Sequence, residues 1–459
     1  MTGLPLTPDD AIRAADRQLI GDVWTSDEAW SHCEALVDRF PRRYAGHPDE
    51  AGARDYLLAA LERYGVAARA EPFPCMHWSA GSAELIIHSP ERRAISGVNL
   101  PMNVDTEVTA EIGFVEEGTP AQYAAYADRV ADRIVLVTSR CPAYSHRPRT
   151  CRREKYLRAV EGGARGFLYM RHEGGLLPET YSLSADGPPP IPGLSLTREA
   201  GAEILRLLAR GPVRATLRTA GKVSPGTSWN IVGDMPGPRR RDRVILVGAH
   251  YDTLIGCPGA VDDASGAAVL LEVARALSKH APLLGTTVRF AFFGLEEGGL
   301  QGAYAYTEAH AGGLGAVDFM LNVDGAGFGD PHKGVGLQGW PELIPFFRRL
   351  GREMREDFPV DVWITPNSDM HPFLLRGVPC AWLFDLGMSL ANLGWPHTAA
   401  DSLDKISRRS LRTVALLVAR LLLYMTNRDW PGRHARPEEV AAWLSEWNLE
   451  PRTKRRMDI

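Results

Sequence analysis

Two histidines and three carboxylates, most of which directly follow apolar runs, are the residues of this sequence best suited to chemistry. They are His250, Asp262, Glu297, Asp324 and His397. Imidazole nitrogens and carboxylate oxygens together form a ligand set that suits zinc. Because five ligands exceed what one tetrahedral ion uses, the set predicts a hydrolytic site with two metal ions.

Apolar runs carry three of these residues. The runs are VILVGAHYD at 244–252, FAFFGLEEGG at 290–299 and FMLNVDGAG at 319–327. In an open α/β sheet, buried parallel strands place charged residues at their carboxyl ends, where the site forms. We therefore expect the ends of these three runs to meet at one edge of a sheet.

Acidic neighbours of these residues suggest a division of labour. Asp252 lies two residues after His250 and points to the same face if the strand continues, where it would hold the second imidazole nitrogen. Glu296 precedes Glu297 in a glycine-rich turn, so Glu297 would bind metal while Glu296 removes a proton from the attacking water. Plainer interpretations exist, because paired acids also cap helices, acidic turns are often only solvated, and a lone histidine is usually structural.

Length and composition limit the classes of function that this protein could have. With 459 residues and 45% hydrophobic content, the chain is long enough for a large core and a second unit. A net charge of −4 does not favour nucleic-acid binding, which requires a basic face. The six cysteines form no C-x-x-C pair, so the sequence indicates neither a zinc ribbon nor a disulfide framework.

Targeting and membrane segments are not predicted. Residues 1–20 lack a basic region followed by an apolar one, which is the pattern of a signal peptide. The apolar stretch 414–425 contains Arg420 and is too short to cross a bilayer. We therefore expect a cytoplasmic protein that binds neither membranes nor nucleic acid. The sequence does not indicate an oligomeric state.

The order of predicted elements divides the chain into a helical lead-in, a β-rich module, a larger α/β unit and a C-terminal piece. In the module, short strands are separated by Pro- and Gly-rich turns, with one helix at 198–209 that Thr197 caps. In the larger unit, strands and helices alternate, which favours a mostly parallel sheet covered by helices. In the C-terminal part, the sequence predicts a short helix and a solvated basic tail. The four parts are 1–72, 73–225, 226–427 and 428–459.

The larger unit has predicted bounds for each element. Strands are predicted at 244–248, 287–293, 319–323, 360–365 and 380–384, and helices at 264–278, 300–310 and 407–425.

At the residues described above, the sequence resembles the M28 family of zinc exopeptidases, which includes bacterial leucyl aminopeptidases and glutamate carboxypeptidase-like enzymes. The resemblance covers residues 228–426 and contains all five motifs in order. It implies a zinc-exopeptidase (phosphorylase/hydrolase-like) α/β/α sandwich with a mostly parallel mixed sheet. It also implies two zinc ions, with manganese or cobalt as alternatives.

The module at 73–225 resembles a protease-associated domain, which some members of the family carry as an insertion. The similar segments are DRIVLVTSRC, EKYLRAVEGGARGFLYMR and IPGLSLTREAGAEIL. The segment FPRRYAGHPDE and the helix after it resemble the family's lead-in, which packs back on the catalytic sheet.

The resemblance also implies a role for each site residue. The bridging ligand is Asp262, the other ligands of one ion are His250 and Asp324, those of the second ion are Glu297 and His397, the general base is Glu296, and the partner of His250 is Asp252. A cis peptide bond between Asp262 and Asp263 is implied as well.

Two departures from the family pattern affect the substrate side of the site. Several members carry Tyr immediately before the final histidine, where it helps stabilise the oxyanion, whereas this chain has Pro396. The segment NSDMHPF resembles the family's S-D-H-x-P-F, but Met370 occupies the usual histidine position and His371 follows it. We expect Asp369, His371 and Pro396 to lie near the substrate.

The favoured hypothesis is an aminopeptidase that hydrolyses a peptide or small amide substrate. A carboxypeptidase, or a specialised amidohydrolase acting on a small metabolite or biosynthetic peptide, is the alternative. A non-catalytic binding protein is a third hypothesis, although such relatives typically lose metal ligands. Acyl transfer, as in glutaminyl cyclases with one zinc, is a fourth.

Overall fold

A computed structural model describes residues 7–140, 152–329, 333–385, 394–447 and 449. The helices of these residues are α1 (Pro8–Trp24), α2 (Glu28–Arg39), α3 (Pro48–Arg63), α4 (Pro120–Ala125), α5 (Arg152–Glu161), α6 (Arg198–Leu208), α7 (Ser265–Ser278), α8 (Gln301–Ala309), α9 (Ile344–Met354), α10 (Met370–Leu375), α11 (Arg408–Thr426) and α12 (Pro437–Glu446). The predicted basic tail, Cys141 and Cys151 lie outside the described residues.

The strands join in one mixed sheet. They are β1 (Ala67–Ser89), β2 (Arg93–Ile95), β3 (Val98–Asn99), β4 (Thr106–Phe114), β5 (Ile134–Thr138), β6 (Gly166–Met170), β7 (Gly193–Leu196), β8 (Arg214–Met235), β9 (Arg240–His250), β10 (Thr286–Phe293), β11 (Val317–Asn322), β12 (Lys333–Leu337), β13 (Val360–Val362) and β14 (Cys380–Asp385). Their order is β13-β12-β14-β11-β9-β10-β8-β4-β5-β6-β7-β3, and β1 lies beside β8.

The centre of the sheet is parallel, as the alternation of strands and helices predicts. Strand β9 pairs in parallel with both β10 and β11, and β11 pairs in parallel with β14. Strands β8 and β12 run antiparallel to their neighbours β10 and β14 and make the sheet mixed. Helices α7 and α11 pack on this part of the sheet, and α1 and α2 pack on those two helices, so the strands are buried as apolar runs.

Strands β1 and β8 form a long antiparallel ribbon that the sequence does not predict. They are paired from Ala67 with Asp234 to Ser89 with Arg214. Only the last residues of β1 are predicted as a strand, because prolines at 72 and 74 interrupt the pattern. Those prolines are tolerated because β1 is an edge strand along that stretch. The predicted part boundaries at 72/73 and 225/226 both fall within this ribbon, and the four-part division stays a prediction.

Several predictions of secondary structure are wrong in detail, including the omission of α9 and the predicted strand 360–365, which ends at Val362. The module at 73–225 contains α4 and α5 in addition to the predicted helix, now α6, whose cap is confirmed because Thr197 Oγ1 accepts the N–H of Ala200 at 3.1 Å. Strand β12 is missed because its sequence, KGVGL, is rich in glycine. A Cβ at Gly336 would lie 2.2 Å from Nε1 of Trp363, so the glycine makes room for that ring.

Among the helices of the described residues, none combines the length and apolar composition needed to cross a bilayer.

The guanidinium of Arg43 joins the lead-in to the loop that follows β9. Arg43 is fully buried. Its hydrogen bonds, of 2.7 to 3.2 Å, end on the carbonyl oxygens of Leu36, Phe40, Tyr251, Pro258 and Gly259. A planar, five-donor group is needed to serve so many acceptors at once. The residue therefore holds the backbone on both sides of the loop 251–259.

We expect Arg43→Lys to lower the free energy of unfolding by about 3 kcal/mol, because an ammonium has too few donors and leaves buried carbonyls unpaired. Urea unfolding followed by circular dichroism measures this. The matched control is Arg42→Lys, since the Arg42 side chain is 59% exposed and its partner is Asp49. Equal stability losses for the two variants would contradict the role of Arg43.

Candidate metal centre

The five predicted ligands come together at the carboxyl ends of the central strands. His250 is the last residue of β9, Glu297 follows β10, and Asp324 follows β11. Register explains their proximity, because Phe293 at the end of β10 lies beside His250, and Asn322 at the end of β11 lies beside Gly248.

The carboxylate of Asp262 lies between the two histidines. Its Oδ1 is 3.1 Å from Nε2 of His250, and its Oδ2 is 3.1 Å from Nε2 of His397. Asp324 completes one group with His250, and Glu297 completes the other with His397. In each group the potential ligand atoms lie within 4.8 Å of one another. Two groups of potential N/O ligands thus share one carboxylate.

A buried aspartate that the sequence does not single out holds Asp262 in place. Asp401 accepts the backbone N–H of Val261 at 2.7 Å with Oδ1 and that of Asp262 at 3.1 Å with Oδ2. Asp401 is fully buried, and burial raises its pKa to about 7. Its proximity in sequence to His397 is the one signal that could have indicated it.

The two adjacent aspartates have different partners. The peptide bond between Asp262 and Asp263 is cis, as the family resemblance implies. Asp263 Oδ1 accepts the N–H of Gly266 at 2.8 Å and that of Gly325 at 3.0 Å. The helix-capping interpretation is therefore correct for Asp263, whereas Asp262 faces the histidines.

Asp252 fixes three residues of the site at once. Its Oδ1 lies 3.4 Å from Nδ1 of His250, on the side of the ring away from Asp262. It also accepts the backbone N–H of Glu296 at 2.9 Å and that of Glu297 at 3.2 Å. The sequence predicts the first contact but not the other two. Asp252 therefore orients one imidazole and fixes the turn that carries both glutamates.

Ser368 orients Asp324. Its hydroxyl donates to Asp324 Oδ2 at 2.6 Å and accepts from Asn322 Nδ2 at 2.7 Å. This bond turns the other oxygen, Oδ1, towards His250 at 3.9 Å. The sequence associates the segment that contains Ser368 with substrate. The observed contact of Ser368, however, is with a potential metal ligand.

Burial shapes the electrostatics of the site. It raises the pKa of Glu297 to about 7 and that of Asp324 to about 6. Burial also disfavours the charge of Asp262, but contacts with the imidazoles of His250 and His397 outweigh it and lower that pKa. A divalent cation among these groups would favour the ionised carboxylates, since an opposite charge stabilises them.

These residues fit a metal ion by their donor chemistry. Among the described residues, Oε1 of Glu297 and Oδ1 of Asp324 are buried without a hydrogen-bond partner. Such oxygens are costly unless a cation or donor satisfies them. A mixed set of imidazole and carboxylate ligands around both oxygens matches the preferences of zinc.

The three residues predicted to lie near the substrate are placed differently. Asp369 and His371 flank the start of α10 and are buried, and within the described residues both carboxylate oxygens of Asp369 lack a hydrogen-bond partner. Pro396 is partly buried and precedes His397, whose φ is 63°. Their contact with substrate stays a prediction.

Sequence comparison agrees with this geometry. Residues 230–422 match Peptidase family M28. Leucine aminopeptidase 2 of Trichophyton equinum is 28% identical over 206 residues, which are 42% of this chain and 41% of that protein. Probable leucine aminopeptidase 2 of Arthroderma benhamiae is 25% identical over 319 residues, 67% of this chain and 61% of that protein. The chain thus spans less than two thirds of either relative.

Solved structures share the fold. The peptidase M28 precursor from Shewanella amazonensis SB2B has a TM-score of 0.78 at 22% identity, covering 93% of this chain and 100% of that one. BSAP, a zinc aminopeptidase from Bacillus subtilis, has a TM-score of 0.68 at 23% identity, covering 87% and 94%. Residues 230–422 are thus similar in sequence to peptidase family M28, and the chain is similar in fold to these two structures.

Proposed function

We propose that this protein is a metal-dependent aminopeptidase whose centre holds two zinc ions. One observation carries the proposal: the two oxygens of Asp262 face two different histidines, and a separate carboxylate completes each group. A carboxylate shared in this way can bridge a pair of metal ions. The names of the relatives, which are leucine aminopeptidases, support the choice of an exopeptidase acting at the N-terminus.

When bound, the two ions would supply an acidified water and a polarised substrate carbonyl. Their proposed ligands are His250 and Asp324 on one side, Glu297 and His397 on the other, and Asp262 between them. Zinc is the preferred metal from the donor set, and manganese or cobalt could occupy the same ligands.

Glu296 is proposed as the general base. It is partly buried, it directly precedes Glu297, and its backbone is fixed by Asp252. Burial raises its pKa well above the ordinary value, with an opposing effect from His250 and a further increase from the neighbouring Glu297. Its carboxylate would take a proton from the attacking water and pass it to the leaving amine.

A specialised amidohydrolase or a carboxypeptidase is the second candidate. The departures at Met370 and Pro396 favour keeping it, since both lie in segments that the family resemblance associates with substrate and oxyanion. The same general base and metal ligands would serve all three reactions, so only the substrate distinguishes them.

A panel of short peptides separates these candidates. Matched peptides with free or acetylated N-termini, and with free or amidated C-termini, are incubated with the zinc-loaded protein and analysed by mass spectrometry. We expect loss of N-terminal residues only from peptides with a free amine. Dependence on a free C-terminus would establish a carboxypeptidase instead. No cleavage by a protein that holds two zinc ions would favour the specialised amidohydrolase.

We expect Glu296→Gln to retain two zinc ions and to lower kcat by about 10²- to 10⁴-fold, the usual contribution of a general base. Zinc content is measured by mass spectrometry of the metal and kcat on the best peptide of the panel. Glu308→Gln is the matched control, because Glu308 is an exposed glutamate on α8. A metal-replete Glu296→Gln variant with normal kcat would remove Glu296 from the mechanism.

A further inference from the structure

His397 is held by a segment that lies more than 200 residues earlier in the chain. Its Nδ1 is 3.0 Å from the carbonyl oxygen of Thr180, and the Thr180 N–H donates to the His397 carbonyl at 2.8 Å. Thr180 lies between β6 and β7, within the β-rich module predicted at 73–225. The module thus forms two backbone-centred bonds to this histidine.

These contacts determine which imidazole nitrogen of His397 is free. A carbonyl oxygen can only accept, so Nδ1 must carry a hydrogen, and in the neutral imidazole Nε2 then presents its lone pair. Nε2 is the atom that faces Asp262 and Glu297, at 3.1 and 3.4 Å. Nη2 of Arg152, which can only donate, lies 3.3 Å from the same Nε2 and agrees with this tautomer.

The same segment also holds the backbone just before His397. Arg171 is 4% exposed, and its guanidinium donates both to the carbonyl of Gly394 and to that of Leu177. Glu179, next to Thr180, pairs with Arg152 at 2.9 Å. Residues 171–180, which we call the bracket segment, therefore fix both the approach of the chain to His397 and the orientation of its ring.

The other half of the centre is organised without the bracket segment. Nδ1 of His250 faces Asp252, and Asp324 is oriented by Ser368. All four residues belong to the larger unit predicted at 226–427. The two groups of ligands therefore differ in which part of the chain holds their outer partners, although they share Asp262.

We propose that Thr180 is a positioning residue of the metal centre. The site formed by Asp262, Glu297 and His397 depends on the docked bracket segment, whereas the site formed by Asp262, His250 and Asp324 does not. Displacement of the bracket segment would thus empty one metal site and leave the other occupied. This inference rests on the two-ion centre of the proposed function.

The test measures zinc affinity at each site separately. His250→Ala leaves the His397 site intact, and His397→Ala leaves the His250 site intact. Thr180→Pro is introduced into both backgrounds, because proline lacks the N–H that bonds to the His397 carbonyl. The control is Thr180→Ala, since the threonine hydroxyl has no hydrogen-bond partner among the described residues. Competition with a zinc chelator gives the dissociation constants.

We expect Thr180→Pro to weaken zinc binding about 10- to 100-fold in the His250→Ala background, because loss of the N–H bond displaces the carbonyl that holds Nδ1 of His397. In the His397→Ala background it should leave the affinity unchanged, and Thr180→Ala should change neither. The unaffected site also reports that the variant is folded. Equal weakening of both sites in folded protein, or no change at either, would overturn the inference.

A second variant guards against misfolding of Thr180→Pro. Arg171→Met releases Gly394 without altering the backbone at Thr180, and it should weaken the same site selectively. If both variants spare the His397 site, the inference fails. Absence of zinc from both parent backgrounds would instead overturn the proposed function, so the two failures are distinguishable.

Discussion

Burial of several carboxylates in one place is the constraint on which this site depends. Three central strands deliver carboxylates into one water-poor region, where each charge is expensive unless it is paired. The fold answers with backbone N–H groups for Asp252, Asp263 and Asp401, and with two imidazoles for Asp262. Glu297 and Asp324 retain raised pKa values and an unpaired oxygen each. A pair of cations would compensate the negative charge that remains when these carboxylates ionise.

Stability and chemistry are therefore difficult to separate at this edge of the sheet. The residues that hold the proposed ligands in place are themselves buried and polar. Each forms hydrogen bonds with backbone groups on which the position of another site residue depends. Asp252 fixes the glutamate turn, while Arg43 fixes the loop that connects Asp252 to Asp262. A change in any of them would alter ligand positions as well as the free energy of unfolding.

The central strands and the three proposed ligands at their carboxyl ends could be predicted because their signals are local. An apolar run followed directly by a charged residue marks both the strand and its end, as at His250 and Asp324. Asp401, Ser368 and Thr180 could not be predicted in their observed contacts, because their partners lie 44 to 217 residues away. Nothing in the local pattern identifies which distant backbone group a serine or a carbonyl will meet.

Local patterns also fail where a tertiary contact overrides propensity. Strand β12 has glycines because aromatic rings lie against it, and β1 contains prolines that its edge position tolerates. In both cases the composition that hides the strand is explained by its neighbours.

The β1–β8 ribbon has a consequence for how such a chain can change in length. Pro72 lies beside Trp229 in that ribbon, so the backbone leaves the central sheet and returns to it at adjacent positions. For the central parallel strands, everything between these two positions is one closed loop whose ends are already joined by the hydrogen-bond ladder. The entropic cost of closing a loop grows only slowly with its length. Residues can therefore be inserted or deleted in the segment that the ribbon connects with little effect on the central strands. Within a strand of the ribbon, inserting or deleting two residues keeps each side chain on its original face of the sheet. Inserting one residue moves every following side chain of that strand to the opposite face.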